Sequence, residues 1–232
     1  MTSSLQFFLS NGLLPLLFSV LLLTVACTPE KKRVVFFGDS ITQAGAEPGG
    51  YIEVMKMLVD TSQYELLGAG ISGNKVTDLQ ARIQTDVLDK NPDVVVVYIG
   101  INDVWHFYKF EGTTGSRQTG TEADAYEAGL RDVAQRIQAQ GATVLFCTPT
   151  VIGEDVDSEA EENVRLIQYA DIVRRVADDT DSQLCDLRLA FGDALRARNA
   201  DGAYQGVLTT DGVHMNEAGN RFLAERIREC LP

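Results

Sequence analysis

Four short segments of this chain carry side chains able to do chemistry. Gly38-Asp39-Ser40-Ile41-Thr42 places a hydroxyl directly after an apolar run at residues 34–37. Asp211-Gly212-Val213-His214 sets a carboxylate three residues before an imidazole. One turn of chain closes that spacing. The carboxylate then accepts from one ring nitrogen and leaves the other free as a base. A serine hydroxyl is a poor nucleophile near neutral pH and needs such a base within hydrogen-bond reach. Between these two segments lie Gly68-Ala69-Gly70-Ile71-Ser72-Gly73-Asn74 and Gly100-Ile101-Asn102-Asp103. Glycines let a backbone approach another group closely and leave N–H groups free for an anion. Asn102 either caps the following segment or points an amide donor into a cleft. Each pattern alone has an ordinary structural reading. Gly-Asp-Ser is common turn chemistry, and a lone histidine is more often structural than catalytic.

The four segments fall at the ends of the elements that must position them. Short β-branched runs occupy residues 34–37, 64–67, 94–99, 143–147 and 183–187. The third reads VVVVYI, which suits a strand buried on both faces of a parallel sheet. Helical stripes alternate with them: Val76, Leu79, Ile83, Val87; then Tyr126, Leu130, Val133, Ile137; then Leu166, Tyr169, Val173, Val176. A last stripe, Phe222, Leu223 and Ile227, follows Asn216 as N-cap. Strand–helix alternation with right-handed crossovers predicts a three-layer α/β/α, doubly wound, mainly parallel five-stranded sheet. In such sheets the functional groups gather at the carboxyl ends of the strands. The glycines at 68, 70 and 73 spell a dinucleotide fingerprint. The context fails it, because the acid about 20 residues on, Asp93, opens the next strand instead of ending it. Residues 104–121 and 152–163 read as long loops, the second strongly acidic.

In this order the segments resemble the four motif blocks of the SGNH hydrolases, also called the GDSL esterase/lipase family. The matching stretches are GDSIT, GAGISG, GIND and DGVH, and the resemblance spans residue 34 to the C-terminus. Gly68 stands where the family often has Asn. The resemblance implies a flavodoxin-like sheet and a serine carboxylic-ester hydrolase with an acyl-enzyme mechanism. It implies Ser40 as nucleophile, His214 as general base and acid, and Asp211 as its orienting carboxylate. The oxyanion would be met by the N–H groups of Ser40 and Gly73 and the amide of Asn102. Trp105, His106 and Tyr108, after Asn102, are candidates for the substrate wall. Short acyl esters, such as O-acetyl groups of carbohydrates, are the expected substrates. The alternatives are a lysophospholipase or thioesterase with a longer acyl pocket, and a non-catalytic glycan-binding lipoprotein. No cofactor is expected, and two histidines with scattered cysteines supply no metal cluster of zinc-like spacing.

Composition narrows the partners. The net charge of −13 is spread along 232 residues, which argues against nucleic acid. Residues 12–26 form an almost unbroken apolar run ending at Ala26-Cys27. That ending resembles a bacterial lipobox. It predicts a signal peptide over residues 1–26, lipidation of Cys27, a short linker over 27–33 and the hydrolase domain over 34–232. The expected location is extracytoplasmic and membrane-anchored, on the periplasmic or cell-surface side. Lys31, Lys32 and Arg33 after the run suit an uncleaved anchor instead, by the positive-inside rule. Cys147 and Cys185 lie in apolar runs and read as buried small hydrophobes. Spacing leaves a Cys185–Cys230 bridge open.

Overall fold

The computed structural model describes residues 30–108, 110–111, 116–117 and 119–232. Cys27 and the apolar run before it lie outside them. Five strands form one sheet: β1 (Lys32–Gly38), β2 (Tyr64–Gly70), β3 (Val94–Tyr98), β6 (Thr143–Cys147) and β7 (Gln183–Cys185). Their order is β2-β1-β3-β6-β7, and every pairing is parallel. β4 (Phe110–Glu111) and β5 (Ser116–Arg117) make a separate antiparallel pair inside the 104–121 segment. The helices are α1 (Ser40–Gly45), α2 (Tyr51–Lys56), α3 (Val76–Asp86), α4 (Ile101–Trp105), α5 (Ala123–Gln138), α6 (Glu161–Asp179), α7 (Leu187–Arg198) and α8 (Glu217–Cys230).

Right-handed crossovers explain the layers. The chain leaves β1 toward one edge, to β2, and then moves the other way through β3, β6 and β7. A reversal of direction sends the helices to the opposite face. Accordingly α3 packs on α5 and α5 on α6, while α2 packs on α8 and α8 on α7. β1 and β3 sit inside the sheet with both faces covered, so Val34, Val35, Phe36, Phe37 and Val94 to Val97 are all fully buried. The stripes at Val76–Val87, Tyr126–Ile137 and Leu166–Val176 all face this core. Phe222 is only half-buried; its ring meets Phe191 edge-on at 5.2 Å.

One difference from the sequence expectations affects the site. β2 continues three residues further, through Gly70, because nothing on Gly68 or Gly70 obstructs it. A Cβ on Gly70 would lie 2.1 Å from Gln43 N and 2.7 Å from Asp39 O. Glycine therefore lets β2 close directly onto the turn that carries Ser40. Cys185 is buried, as expected, yet it is also bonded to Cys230 across 45 residues. Closing a loop of that length stabilises by about 4 kcal/mol in the chain-entropy account. It ties the end of β7 to the last turn of α8. Cys147 is buried and free, and burial pushes its thiol far above the ordinary range. Among the described residues, no helix is long and apolar enough to cross a membrane.

Candidate active site

The strand order places three of the four motifs side by side. β1 ends at Gly38, between β2 ending at Gly70 and β3 ending at Tyr98. The direction of winding reverses at β1/β3, where an open α/β sheet forms its crevice. Asp39 caps α1, accepting from Ile41 N at 2.9 Å, and Ser40 is the first residue of that helix. The fourth motif arrives from far along the chain. The segment between α7 and α8 folds back, closed by a bridge between Thr209 and Met215, and delivers Asp211 and His214 over the same edge.

Ser40 Oγ lies 2.9 Å from His214 Nε2, and His214 Nδ1 lies 2.7 Å from Asp211 Oδ2. Nδ1–H donates to the carboxylate, which leaves Nε2 to accept from the serine hydroxyl. The other oxygen of Asp211 accepts from Val213 N at 3.0 Å and His214 N at 2.8 Å. Partial burial raises the Asp211 carboxyl, but the His214 ring and these two N–H groups outweigh it and hold it below the usual range. An ionised, fixed carboxylate beside Nδ1 suits the imidazole for taking and returning a proton.

Two of the candidate oxyanion donors, Gly73 N–H and the Asn102 amide, meet at one turn. Gly73 has φ +79°, a region that favours glycine, and the space where a Cβ would stand is open. Asn102 is buried, and its amide donates to Asn74 O at 3.0 Å. One amide hydrogen is thus spent on bracing the Gly73-Asn74 turn, and the amide carries a second. The Ser40 N–H belongs to the first turn of α1, where no carbonyl inside the helix can take it.

Three side chains that sequence reading missed hold this arrangement. Gln43 Oε1 accepts from Ser72 N at 2.6 Å, which fastens the Gly73 turn to α1. Asn74 Oδ1 accepts from Arg82 Nε at 2.6 Å. Arg82 also donates to Gly38 O and Ala69 O, at 2.8 and 2.9 Å, and stacks 4.5 Å over Phe37. It therefore binds the ends of β1 and β2 to the turn. In the sequence Arg82 looks like half of an exposed helical pair with Asp86 at i+4, a pair it also makes. Nothing local marks its other contacts.

Asp39 and Asp103 are buried carboxyls beside this machinery. Burial pushes Asp39 up to about 7, with the Ile41 N–H and the His214 charge lowering it and Asp103 raising it. Burial likewise raises Asp103 to about 6, against a Thr121 hydroxyl and the Val76 N–H. Both keep structural hydrogen bonds, Asp39 with Ile41 N and Asp103 with Val76 N. The folded state therefore retains a proton on Asp39 that the unfolded chain gives up above about pH 4. Stability from this group is complete below that pH and is lost as pH rises through about 7. Asn still caps a helix but cannot ionise. Asp39→Asn is expected to leave the midpoint of thermal unfolding near wild type in acid, and to exceed wild type progressively toward about pH 8. Parallel curves across that range would show that Asp39 does not carry the slope.

A cavity of about 360 Å³ opens over the nucleophile, lined by Ser40, Gln43, Ala44, Glu47, Ser72 and His214. Trp105, His106 and Tyr108 are not among its described lining residues. Tyr108 instead faces a separate depression with Arg165, whose guanidinium lies 4.2 Å over the Phe107 ring. Phe107 and Tyr108 thus pack against Arg165 of α6.

Residues 36–222 match the GDSL-like Lipase/Acylhydrolase family. An acetylxylan esterase of Geobacillus stearothermophilus is 32% identical over 209 residues, covering 83% of this chain and 90% of that protein. The crystal structure of the acetyl xylan esterase AlAXEase superposes with a TM-score of 0.81 at 45% identity, covering 86% of this chain and 100% of that one. A Bacillus subtilis (strain 168) protein, the uncharacterized lipoprotein YqeF, is 25% identical over 92% of this chain and 96% of its own length. The chain belongs to the GDSL-like lipase/acylhydrolase family and is a carboxylic ester hydrolase.

Proposed function

We propose that this protein removes short acyl groups, acetyl above all, from carbohydrate esters through an acyl-enzyme on Ser40. The observation that carries the mechanism is the unbroken hydrogen-bond line from Ser40 through His214 to Asp211. Ser40 Oγ attacks the ester carbonyl and loses its proton to His214 Nε2. The oxyanion is met by Ser40 N–H, Gly73 N–H and the Asn102 amide. The tetrahedral intermediate collapses, the C–O bond breaks, and His214 returns the proton to the departing sugar hydroxyl. Water, deprotonated by the same nitrogen, attacks the acyl-enzyme and releases the carboxylate product and free Ser40.

The substrate class rests on two supports. Relatives at 32% and 45% identity are named acetylxylan esterases. The cavity over Ser40 is small and walled by short or polar side chains, with no long apolar channel among its lining residues. The test is a series of p-nitrophenyl esters beside acetylated xylo-oligosaccharides. Acetyl is expected to exceed octanoyl in kcat/KM by at least about tenfold, or about 1.4 kcal/mol of transition-state binding, with acetate released from the sugars. Rates that hold or rise with chain length would favour the lysophospholipase or thioesterase reading.

The anchor belongs to the same proposal. Ala26-Cys27 after an apolar run supports lipidation of Cys27, as does similarity along 92% of this chain to a protein named a lipoprotein. A hydrolase held on the outer side of a membrane would meet polysaccharide fragments there. A Cys27 thiol carrying no lipid, or residues 1–26 still attached, in mass spectrometry of the wild-type chain from the membrane fraction would refute lipidation as the anchor.

A further inference from the structure

The acidic segment after β6 has no part in the mechanism above, yet it contains the most heavily hydrogen-bonded carboxylate of the site's surroundings. Glu154 is 1% exposed. Its Oε1 accepts from Leu208 N at 2.6 Å, Thr209 N at 2.6 Å and Thr209 Oγ1 at 2.8 Å. Its Oε2 accepts from Val207 N at 2.7 Å. Three successive peptide N–H groups and one hydroxyl thus converge on a single buried side chain. Only an ionised carboxylate offers acceptors on both oxygens and presents no donor in return.

What Glu154 grips is the root of the catalytic turn. Thr209 Oγ1, while donating to Glu154, accepts from Gly212 N at 3.1 Å, between Asp211 and Val213. Thr210 N donates to His214 O at 2.8 Å, and Asn216 N donates to Leu208 O at 3.0 Å. From the other side Gly153 N donates to Gly212 O at 2.8 Å, and Glu154 N to Tyr204 O at 2.8 Å. Residues 207–209 and 212 are therefore fastened to one short stretch, 153–154. Asp211 and His214 are themselves only partly buried, with side chains 48% and 36% exposed. Packing alone does not fix them, and hydrogen bonding through the backbone must.

We infer that Glu154 is a positioning residue, which sets the Asp211–His214 pair in register with Ser40 by clamping residues 207–209. The inference rests on the reading of those three as the reacting groups. It assigns a role to the 152–163 segment that none of the four motifs covers. Gln at 154 keeps size and shape, but its amide nitrogen must confront an N–H where Oε2 or Oε1 now accepts. The turn would shift to relieve that conflict. A displacement near 1 Å at a catalytic group costs about 10²-fold.

The experiment uses the full chain with p-nitrophenyl acetate. Glu154→Gln is expected to lower kcat by about 10- to 100-fold with KM within about twofold. The rate at which an organophosphate inactivates Ser40 should fall in parallel, and the acid limb of the kcat/KM pH profile should move, because the support of His214 has changed. Glu159→Gln, an exposed neighbour in the same segment, should match wild type. Thr209→Val, which removes only the hydroxyl between Glu154 and Gly212, should show an intermediate loss, and Thr209→Ser should restore the rate. That pair decides the matter if Glu154→Gln does not fold. Folded variants with wild-type kcat, inactivation rate and pH profile would overturn the inference, even if their thermal stability fell. If Ser40→Ala kept its activity, the reading of the reacting groups would fail instead, whatever Glu154 did.

Discussion

Ser40→Ala and His214→Ala are each expected to lower kcat on p-nitrophenyl acetate by about 10⁴- to 10⁶-fold, and the double variant to be no worse than either. The reason is the hydrogen-bond line itself. His214 Nε2 stands 2.9 Å from Ser40 Oγ, within reach of the proton it must take. Without the serine no acyl-enzyme forms. Without the imidazole the hydroxyl keeps its proton. Losing either removes the same step, so the losses do not add. Asp211→Asn should fall between these variants and wild type, because it leaves a side chain to hold the ring but exchanges acceptor for donor at Nδ1. Circular dichroism should be unchanged for Ser40→Ala, since the hydroxyl makes no bond on which the fold depends. A wild-type chain that folds, binds acetylated glycan and is no faster than these variants would make the protein a binding module on a hydrolase scaffold.

Asn102→Ala is expected to lower kcat by about 10²- to 10³-fold, about 3–4 kcal/mol of transition-state stabilisation, with little change in KM. An oxyanion donor acts on charge that exists only after attack, so its loss appears in kcat. The competing account is that Asn102 only braces the Gly73 turn through Asn74 O. A loss confined to kcat marks the oxyanion role, whereas loss of the brace should also lower the midpoint of thermal unfolding; Asn102→Asp removes the donor for both roles at once. It matches the amide in shape but offers no donor, so it should be at least as impaired as Asn102→Ala. If both variants stayed within about tenfold of wild type, the hole would consist of backbone N–H groups, and Asn102 would serve the turn alone.

Much of the fold was legible as period. The β-branched runs became strands β1, β2, β3, β6 and β7, and four apolar stripes became α3, α5, α6 and α8. α1 and α2 were not legible, because six residues are too few to display a 3.6-residue repeat. α7 is absent from the stripes above, although Leu187, Phe191 and Leu195 recur at every fourth position and are all buried; Gly192 interrupts that stripe. The aromatics after Asn102 suit either a wall of the cleft or an anchor of their loop, because residue type carries no direction. The structure turns Phe107 and Tyr108 toward Arg165 on α6.

Residue types and their spacing supply the chemistry and half of its geometry. Asp211 and His214 are three residues apart, so one turn of backbone, with two N–H groups on the carboxylate, brings them together. Asp39 capping α1 and Asn216 capping α8 are likewise local events, written in residue type and neighbours. Only tertiary structure decided that His214 meets a serine 174 residues away. That meeting depends on crossover handedness, on β1 lying between β2 and β3, and on the return of the segment before α8. The supporting groups were hidden for the same reason. Arg82 and Glu154 work through main-chain carbonyls and N–H groups of distant segments. Every residue carries such groups, so no pattern of side chains along the chain announces which ones will converge.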